Sequence, residues 1–302
     1  MLKMRAMNEG EVDRVAEFIS HLNRNEASHI GYCGEDSQEI AHSIRNDITD
    51  IHYTESFSVA YDQEKLVGVL GFDADIENNT AEIWGPFLKE THIEFMHSMW
   101  DRMIKLIPNQ VHSISMFPNK ENEKVIAMAE GLGFVHQSVQ SILGFARKDV
   151  KKVIGEPIQE IRPEYYSAMK ELHDQTFPGS YYNGSQMIKR MNDFNKVMIT
   201  SEDGLLTGYI YAEAEPEFGE ASIEFFAVNE SARGKGIGAR LVSQALNWLF
   251  SFNSMHSVTL CVDSTNEKAI RLYTKVGFKN DHELVYLTKK FKYKTKDDKI
   301  PF

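Results

Sequence analysis

Between Ser222 and Leu249 the chain reads SIEFFAVNESARGKGIGARLVSQALNWL, and the residues best suited to chemistry gather there. Gly234, Gly236 and Gly238 alternate with Lys235 and Ile237, so main-chain amides can turn inward without a β-carbon in the way. The following segment carries Leu241, Val242, Ala245, Leu246 and Leu249 at the spacing of a buried helical stripe. A helix starting there points its unpaired N–H groups and the positive end of its dipole at the loop. Arg233, Lys235 and Arg240 add formal charge, and together these features suit a diphosphate. Two familiar nucleotide loops are excluded. Ala239 follows Gly238 directly and no acidic residue stands at the ribose position, which rules out the dinucleotide fingerprint; no Gly-Lys-Ser/Thr is present for a nucleotide P-loop.

Glu224 interrupts the apolar run Ile223 to Val228. Period-2 alternation puts it on the face of Phe226 and Val228, where a carboxylate must meet a cleft or a partner. Downstream, Val258 to Val262 reads as a strand, Ser264-Thr265-Asn266-Glu267 as a capping box, and Ala269 to Tyr273 as a helix ending before Gly277-Phe278.

Arg-x-x-Gly-x-Gly between a strand and a helix, followed by Asn-x-x-Ala-x-x-x-Tyr and Gly-Phe, resembles the GNAT superfamily of acetyltransferases. The resemblance implies that the loop binds the pyrophosphate of acetyl-CoA, with cofactor contacts at Phe226, Ala227, Val228, Arg233, Gly234, Lys235, Gly236, Ile237, Gly238, Ala239 and Asn266. It also implies that main-chain groups of Phe226 to Val228 pair with the pantetheine arm as an added strand. Tyr273 would be the general acid at the sulfur, and Glu224 the candidate base, acting directly or through water. The expected reaction is N-acetylation of a primary amine on a small molecule or peptide. A non-catalytic acyl-CoA sensor or partner-binding module would keep the loop and make no product. Acceptor walls are expected from His173, from Phe177 to Tyr182 and from Leu284 to Tyr286.

The 302 residues, 42% hydrophobic and 25% charged, suit about two ordinary domains. A net charge of −11 argues against a nucleic-acid or anionic-membrane partner. Cys33 and Cys261 lie too far apart for a disulfide framework, with Cys261 expected in the core, and eleven scattered histidines show no metal-binding spacing. With no secretory leader and no long apolar run, the expected setting is cytoplasmic. A monomer or a homodimer is compatible.

The chain repeats itself. Asn122-Glu123-Lys124 with Gly133-Phe134 matches Asn266-Glu267-Lys268 with Gly277-Phe278 at a constant offset. The order expected from the first half is βααβββαβαβ, and the second half follows it. The fold class expected is therefore α/β (α+β), with two GNAT-type domains at 1–150 and 151–302 and a boundary near Lys148 to Glu156. Each would hold a mixed, mostly antiparallel sheet flanked by helices. The first copy has Gly-Pro-Phe-Leu-Lys-Glu-Thr-His where the loop would be, and Ala129 at the register of Tyr273, so it is expected to have lost coenzyme A binding. Its Thr80 to Leu88 strand is expected to break at Gly85-Pro86.

Overall fold

The computed structural model describes residues 2–150 and 159–291. The expected boundary near 148–156 lies largely outside the described residues. Two compact units emerge: one of residues 1–140 with 282–302, the other of residues 141–281. The unit limits therefore differ from a plain cut near residue 150. The closing strand of each half of the sequence contributes to the unit of the other half.

In the first unit the chain runs β1 (Leu2–Ala6), α1 (Val12–Asn23), α2 (Ser37–Asn46), α3 (Tyr53–Ser56), β2 (Ser58–Asp62), β3 (Lys65–Asp75), β4 (Thr80–Leu88), α4 (Met96–Met103), β5 (Ser113–Met116) and α5 (Glu123–Gly131), followed by the start of β6 (Val135–Ala146). The second unit takes the end of β6, then β7 (Gln159–Glu160), α6 (Tyr166–Thr176), α7 (Gly184–Arg190), β8 (Asn195–Glu202), β9 (Leu205–Glu215), β10 (Glu220–Val228), α8 (Ile237–Leu249), β11 (Ser257–Asp263) and α9 (Glu267–Val276). The last strand, β12 (Lys279–Lys290), enters the first unit from His282.

Strand order in the first unit is β1-β2-β3-β4-β5-β12, and in the second β6-β11-β10-β9-β8-β7. β4 with β5 and β10 with β11 pair in parallel, while β1 to β4 in turn, β5 with β12, and β7 to β10 in turn pair antiparallel. The second sheet is covered on both faces. Ile223, Leu241, Val242, Leu246, Leu260 and Tyr273 belong to the core under α8 and α9. Tyr165, Met169, Tyr209, Tyr211, Phe225 and Ala227 belong to the core under α6 and α7. The stripe read from α8 is the buried one: Leu241, Val242, Ala245 and Leu249 expose nothing. Burial of each such leucine contributes roughly 1.5–3 kcal/mol.

Three local expectations change. β4 is unbroken: Val69 pairs with Phe87 and Gly71 with Trp84, so Gly85 and Pro86 together oppose Leu70 as a bulge on β4. The spacing from Ser37 to Ile51 predicts one helix, but α2 stops at Asn46 and a single turn, α3, follows it, capped by the His52 side chain. Finally, α9 is capped by Asn266 and not by Ser264: its Oδ1 accepts from Ala269 N at 3.2 Å, while Asp263 Oδ1 takes Thr265 N at 2.8 Å. No helix among the described residues is long and apolar enough to cross a membrane.

Candidate active site

The site begins where two strands part. β10 and β11 are in register only at Ser222↔Thr259 and Ile223↔Leu260, although β10 continues to Val228 and β11 to Asp263. Against β9, Ile223 pairs with Ala212 and Phe225 with Tyr211, so Glu224 is an extra residue in a bulge. A bulge bends its strand and adds twist, and from here β10 leaves β11. Phe226, Ala227 and Val228 stay paired with β9 alone. Their opposite side carries the free strand edge that the sequence reading requires for an added strand.

At the end of that gap stands the glycine loop. Gly234 and Gly236 take φ of 81° and 76°, and Gly236 is the N-cap of α8. The first helical bond runs from Arg240 N to Gly236 O at 3.1 Å, so the N–H groups of Ile237, Gly238 and Ala239 have no partner one turn back. Gly238 is needed for a different reason: a β-carbon there would lie 2.9 Å from Phe226 Cζ and 2.8 Å from Leu272 Cδ1. Glycine lets the first turn of α8 settle against β10 and α9. Arg233 pairs with Glu230 at 3.1 Å and Lys235 with Glu202 at 3.2 Å, all strongly exposed. Such pairs are worth little, and a diphosphate can draw both cations from them. A cleft of about 560 Å³ opens beside Lys235, between α6 and the turn around Asp203.

Tyr273 sits in the second turn of α9, 7% exposed, with its ring 6.2 Å from Phe226 and 5.8 Å from Phe278. Burial holds its phenol well above the ordinary tyrosine range, hence protonated. Among the described residues its hydroxyl has no hydrogen-bond partner.

Glu224 is placed differently from the period-2 reading. The bulge turns it to the α6 side, the side of Phe225, where it accepts the hydroxyl of Tyr181. The Tyr181 ring packs 4.9 Å from Phe225 and 4.7 Å from Tyr182. His173 does not line the surface as expected. It is fully buried, takes the Tyr209 hydroxyl at Nδ1 (2.6 Å) and gives Nε2–H to the Tyr182 carbonyl (2.8 Å), anchoring the loop that carries Tyr181. Arg190 lies 4.3 Å from the Tyr182 ring centroid and pairs with Glu213 at 3.2 Å. Cys261 is exposed on β11 and not in the core, since Val258, Leu260 and Val262 supply the inward face. Leu284 to Tyr286, expected beside the acceptor, belongs to the first unit. The Tyr181–Glu224 pair and the His173 anchor carry no sequence signal beyond the aromatic loop itself.

The first unit shows what happens to the same geometry without the loop. β4 and β5 are in register only from Thr80 to Glu82, and then part. Residues 30–33 span that gap: Gly31 N donates to Phe117 O at 2.9 Å, Tyr32 Oη to Ser115 Oγ at 3.2 Å, and the Cys33 thiol bonds the backbone of Gly85. Glu90, paired with Lys124 at 2.8 Å, opens the turn before α4 where a cradle would need positive charge. Ala129 fills the Tyr273 register inside the core.

A mixed sheet whose parallel pair opens onto a glycine loop at a helix N-terminus defines the GNAT class of fold. Residues 159–278 match the family model described as "Acetyltransferase (GNAT) family". The mycothiol acetyltransferase of Acidimicrobium ferrooxidans is 26% identical over 193 residues, 58% of this chain and 62% of that protein. The spermidine N(1)-acetyltransferase of Escherichia coli K12 is 34% identical over 59 residues, 20% of this chain and 32% of the relative. The chain thus spans less than two thirds of the length of these curated relatives. Among solved structures, a GCN5-related N-acetyltransferase from Sphaerobacter thermophilus superimposes with a TM-score of 0.72 at 13% identity, covering 96% of this chain and 95% of that one. A tandem GNAT protein from the clavulanic acid biosynthesis pathway gives 0.64 at 14% identity, covering 96% and 98%. At those identities the likeness is one of fold, and it extends over both units.

Proposed function

We propose that the chain is an acetyl-CoA-dependent N-acetyltransferase acting on a primary amine of a small molecule or peptide, with chemistry confined to the second unit. The observation that carries this reading is the alignment of three features: unpaired N–H groups at the start of α8, the free edge of Phe226 to Val228, and the unpartnered Tyr273 hydroxyl. Bound acetyl-CoA supplies an activated thioester. The α8 N-terminus with Arg233 and Lys235 holds the diphosphate, and the β10 edge orients the arm. An N–H of that edge polarises the carbonyl oxygen. Glu224, directly or through water, takes a proton from the acceptor's ammonium, and the neutral amine then attacks the thioester carbon. Tyr273 gives its proton to the departing sulfur, and the amide and a free thiol result. The first unit shapes or supports the structure and holds no cofactor, its gap being spanned by 30–33.

The names of the relatives, acetyltransferases of mycothiol and spermidine, agree on acyl transfer and differ in acceptor, so they leave the acceptor open. The test is incubation with acetyl-CoA and a panel of amines, following thiol release. Turnover on at least one amine is expected. Thermal stabilisation by acetyl-CoA without release on any amine would favour a sensor.

A further inference from the structure

His29, Glu35 and His282, drawn from opposite ends of the sequence, meet in the first unit: one ring nitrogen of each histidine and one carboxylate oxygen lie within 4.8 Å of one another. We propose that these three side chains bind one divalent transition-metal ion of the zinc type, at a site separate from the acyl-transfer chemistry. Nε2 of His282 is 3.4 Å and Nε2 of His29 4.0 Å from Oε1 of Glu35. Donors around a tetrahedral zinc stand about 3.3 Å apart, given bonds of about 2.0–2.1 Å, so the His282–Glu35 separation matches that value and His29 must move inward to reach it. Two imidazoles and a carboxylate suit a borderline cation better than calcium or magnesium.

His29 supplies the independent observation. It is 6% exposed, its Nδ1 is buried with no hydrogen-bond partner, and its Nε2 is beyond hydrogen-bond reach of Glu35. Nε2, the nitrogen on the Glu35 side, therefore has no protein partner, and an ion bound there would supply one while Nδ1 keeps the ring hydrogen.

The frame around the donors is rigid. Asn23, fully buried, holds both ends of the intervening loop: its Nδ2 donates to Ile30 O at 3.1 Å and Gly34 O at 2.6 Å, and its Oδ1 accepts Ile30 N at 2.7 Å. Ser20 Oγ donates to Glu35 O at 2.7 Å, and Asn119 N to His29 O at 3.0 Å. The histidine rings stack with centroids 4.1 Å apart, and binding requires them to tilt so that both lone pairs meet the ion. One group opposes this. Asn119 Nδ2 lies 3.4 Å from His282 Nδ1, and a ring ligating through Nε2 carries its hydrogen on Nδ1, facing that donor. An aspartate at 119 would instead accept that hydrogen, completing the carboxylate–histidine–metal arrangement of tuned sites. An ion here would tie β12 to the loop before α2, the loop that spans the gap in this unit.

The experiment uses the full chain stripped with chelator, titrated with Zn²⁺ in a calorimeter and with Co²⁺ by visible absorption. Expected are one ion per chain, a rise in Tm on zinc addition, and affinity lowered at least about tenfold in His282→Ala and in Glu35→Gln. Both positions are partly exposed, so these variants fold. Asn119→Asp should tighten binding by about tenfold or more. Absence of a saturable ion, or a site unchanged in His282→Ala and Glu35→Gln, overturns the proposal; unchanged affinity in Asn119→Asp overturns ligation through Nε2 of His282.

Discussion

Tyr181 donates its phenolic hydrogen to Oε2 of Glu224, joining the loop after α6 to the bulge of β10. The contact exists because the extra residue in the strand turns Glu224 toward α6, while His173 holds the loop from beneath through the Tyr182 carbonyl. An acceptor amine arriving at Glu224 meets that hydroxyl. Glu224→Gln should lower kcat/KM for the acceptor by about 10²–10⁴-fold, the range for loss of a general base, with the Kd for acetyl-CoA unchanged. Tyr181→Phe should raise the acceptor KM by about tenfold, corresponding to a hydrogen bond to a charged group. Steady-state kinetics with both substrates varied reads each outcome, and a wild-type acceptor profile in Glu224→Gln would remove it as the base.

Gly236 holds φ of 76° at the mouth of α8. Gly236→Glu forces a side chain into that conformation, costing about 1 kcal/mol, and brings a negative charge to the phosphate cradle. Acetyl-CoA affinity should fall by at least about 100-fold while Tm drops only a few degrees, measured by calorimetry and a thermal melt. For the wild type the same titration should give one cofactor per chain, because the matching gap in the first unit is spanned by residues 30–33.

Tyr273 tests the acid. Its hydroxyl has no partner among the described residues, so Tyr273→Phe should leave stability nearly unaltered. Turnover should fall by about 10²-fold or more, with cofactor affinity within about threefold. Equal turnover in the variant would return Tyr273 to a packing role between Phe226 and Phe278.

Stability should depend on pH through Glu11. The Arg5 guanidinium, bonded at 2.6 and 2.7 Å, and the Tyr61 hydroxyl at 2.7 Å hold its carboxyl down to about 2 against the opposing effect of burial. A carboxylate with a lowered folded-state value stabilises above its unfolded value, about 4.3, and that contribution is lost as pH falls toward about 2. The pair is partly exposed, so about 1–2 kcal/mol is expected after allowance for solvent screening. In urea unfolding, Glu11→Gln should be less stable than wild type by that amount at pH 7, and the two should converge below about pH 3. A gap that persists at pH 2 would mean the loss is one of packing.

The features legible in the sequence are those set by neighbours along the chain. The glycine loop, the buried stripe of α8, the Gly277 stop and the seven-residue step from Asn266 to Tyr273 are local in origin: backbone freedom at glycine, helical period and capping operate over a few residues. The helix cap near Ser264 and the strand break at Gly85-Pro86 changed only locally, and the helix expected to reach Ile51 ended five residues early, at Asn46.

What waited for the tertiary structure were relations between distant segments. No local pattern announces that a bulge turns Glu224 from the Phe226 face to the Tyr181 loop, because that depends on the register with β9. Nor does any local pattern place β12 beyond His282 in the first unit, or bring His282 to His29 and Glu35. Side-chain period and helix capping are determined by the chain's own near neighbours; register, strand exchange between units and converging donors are determined by which surfaces bury each other once the chain has closed.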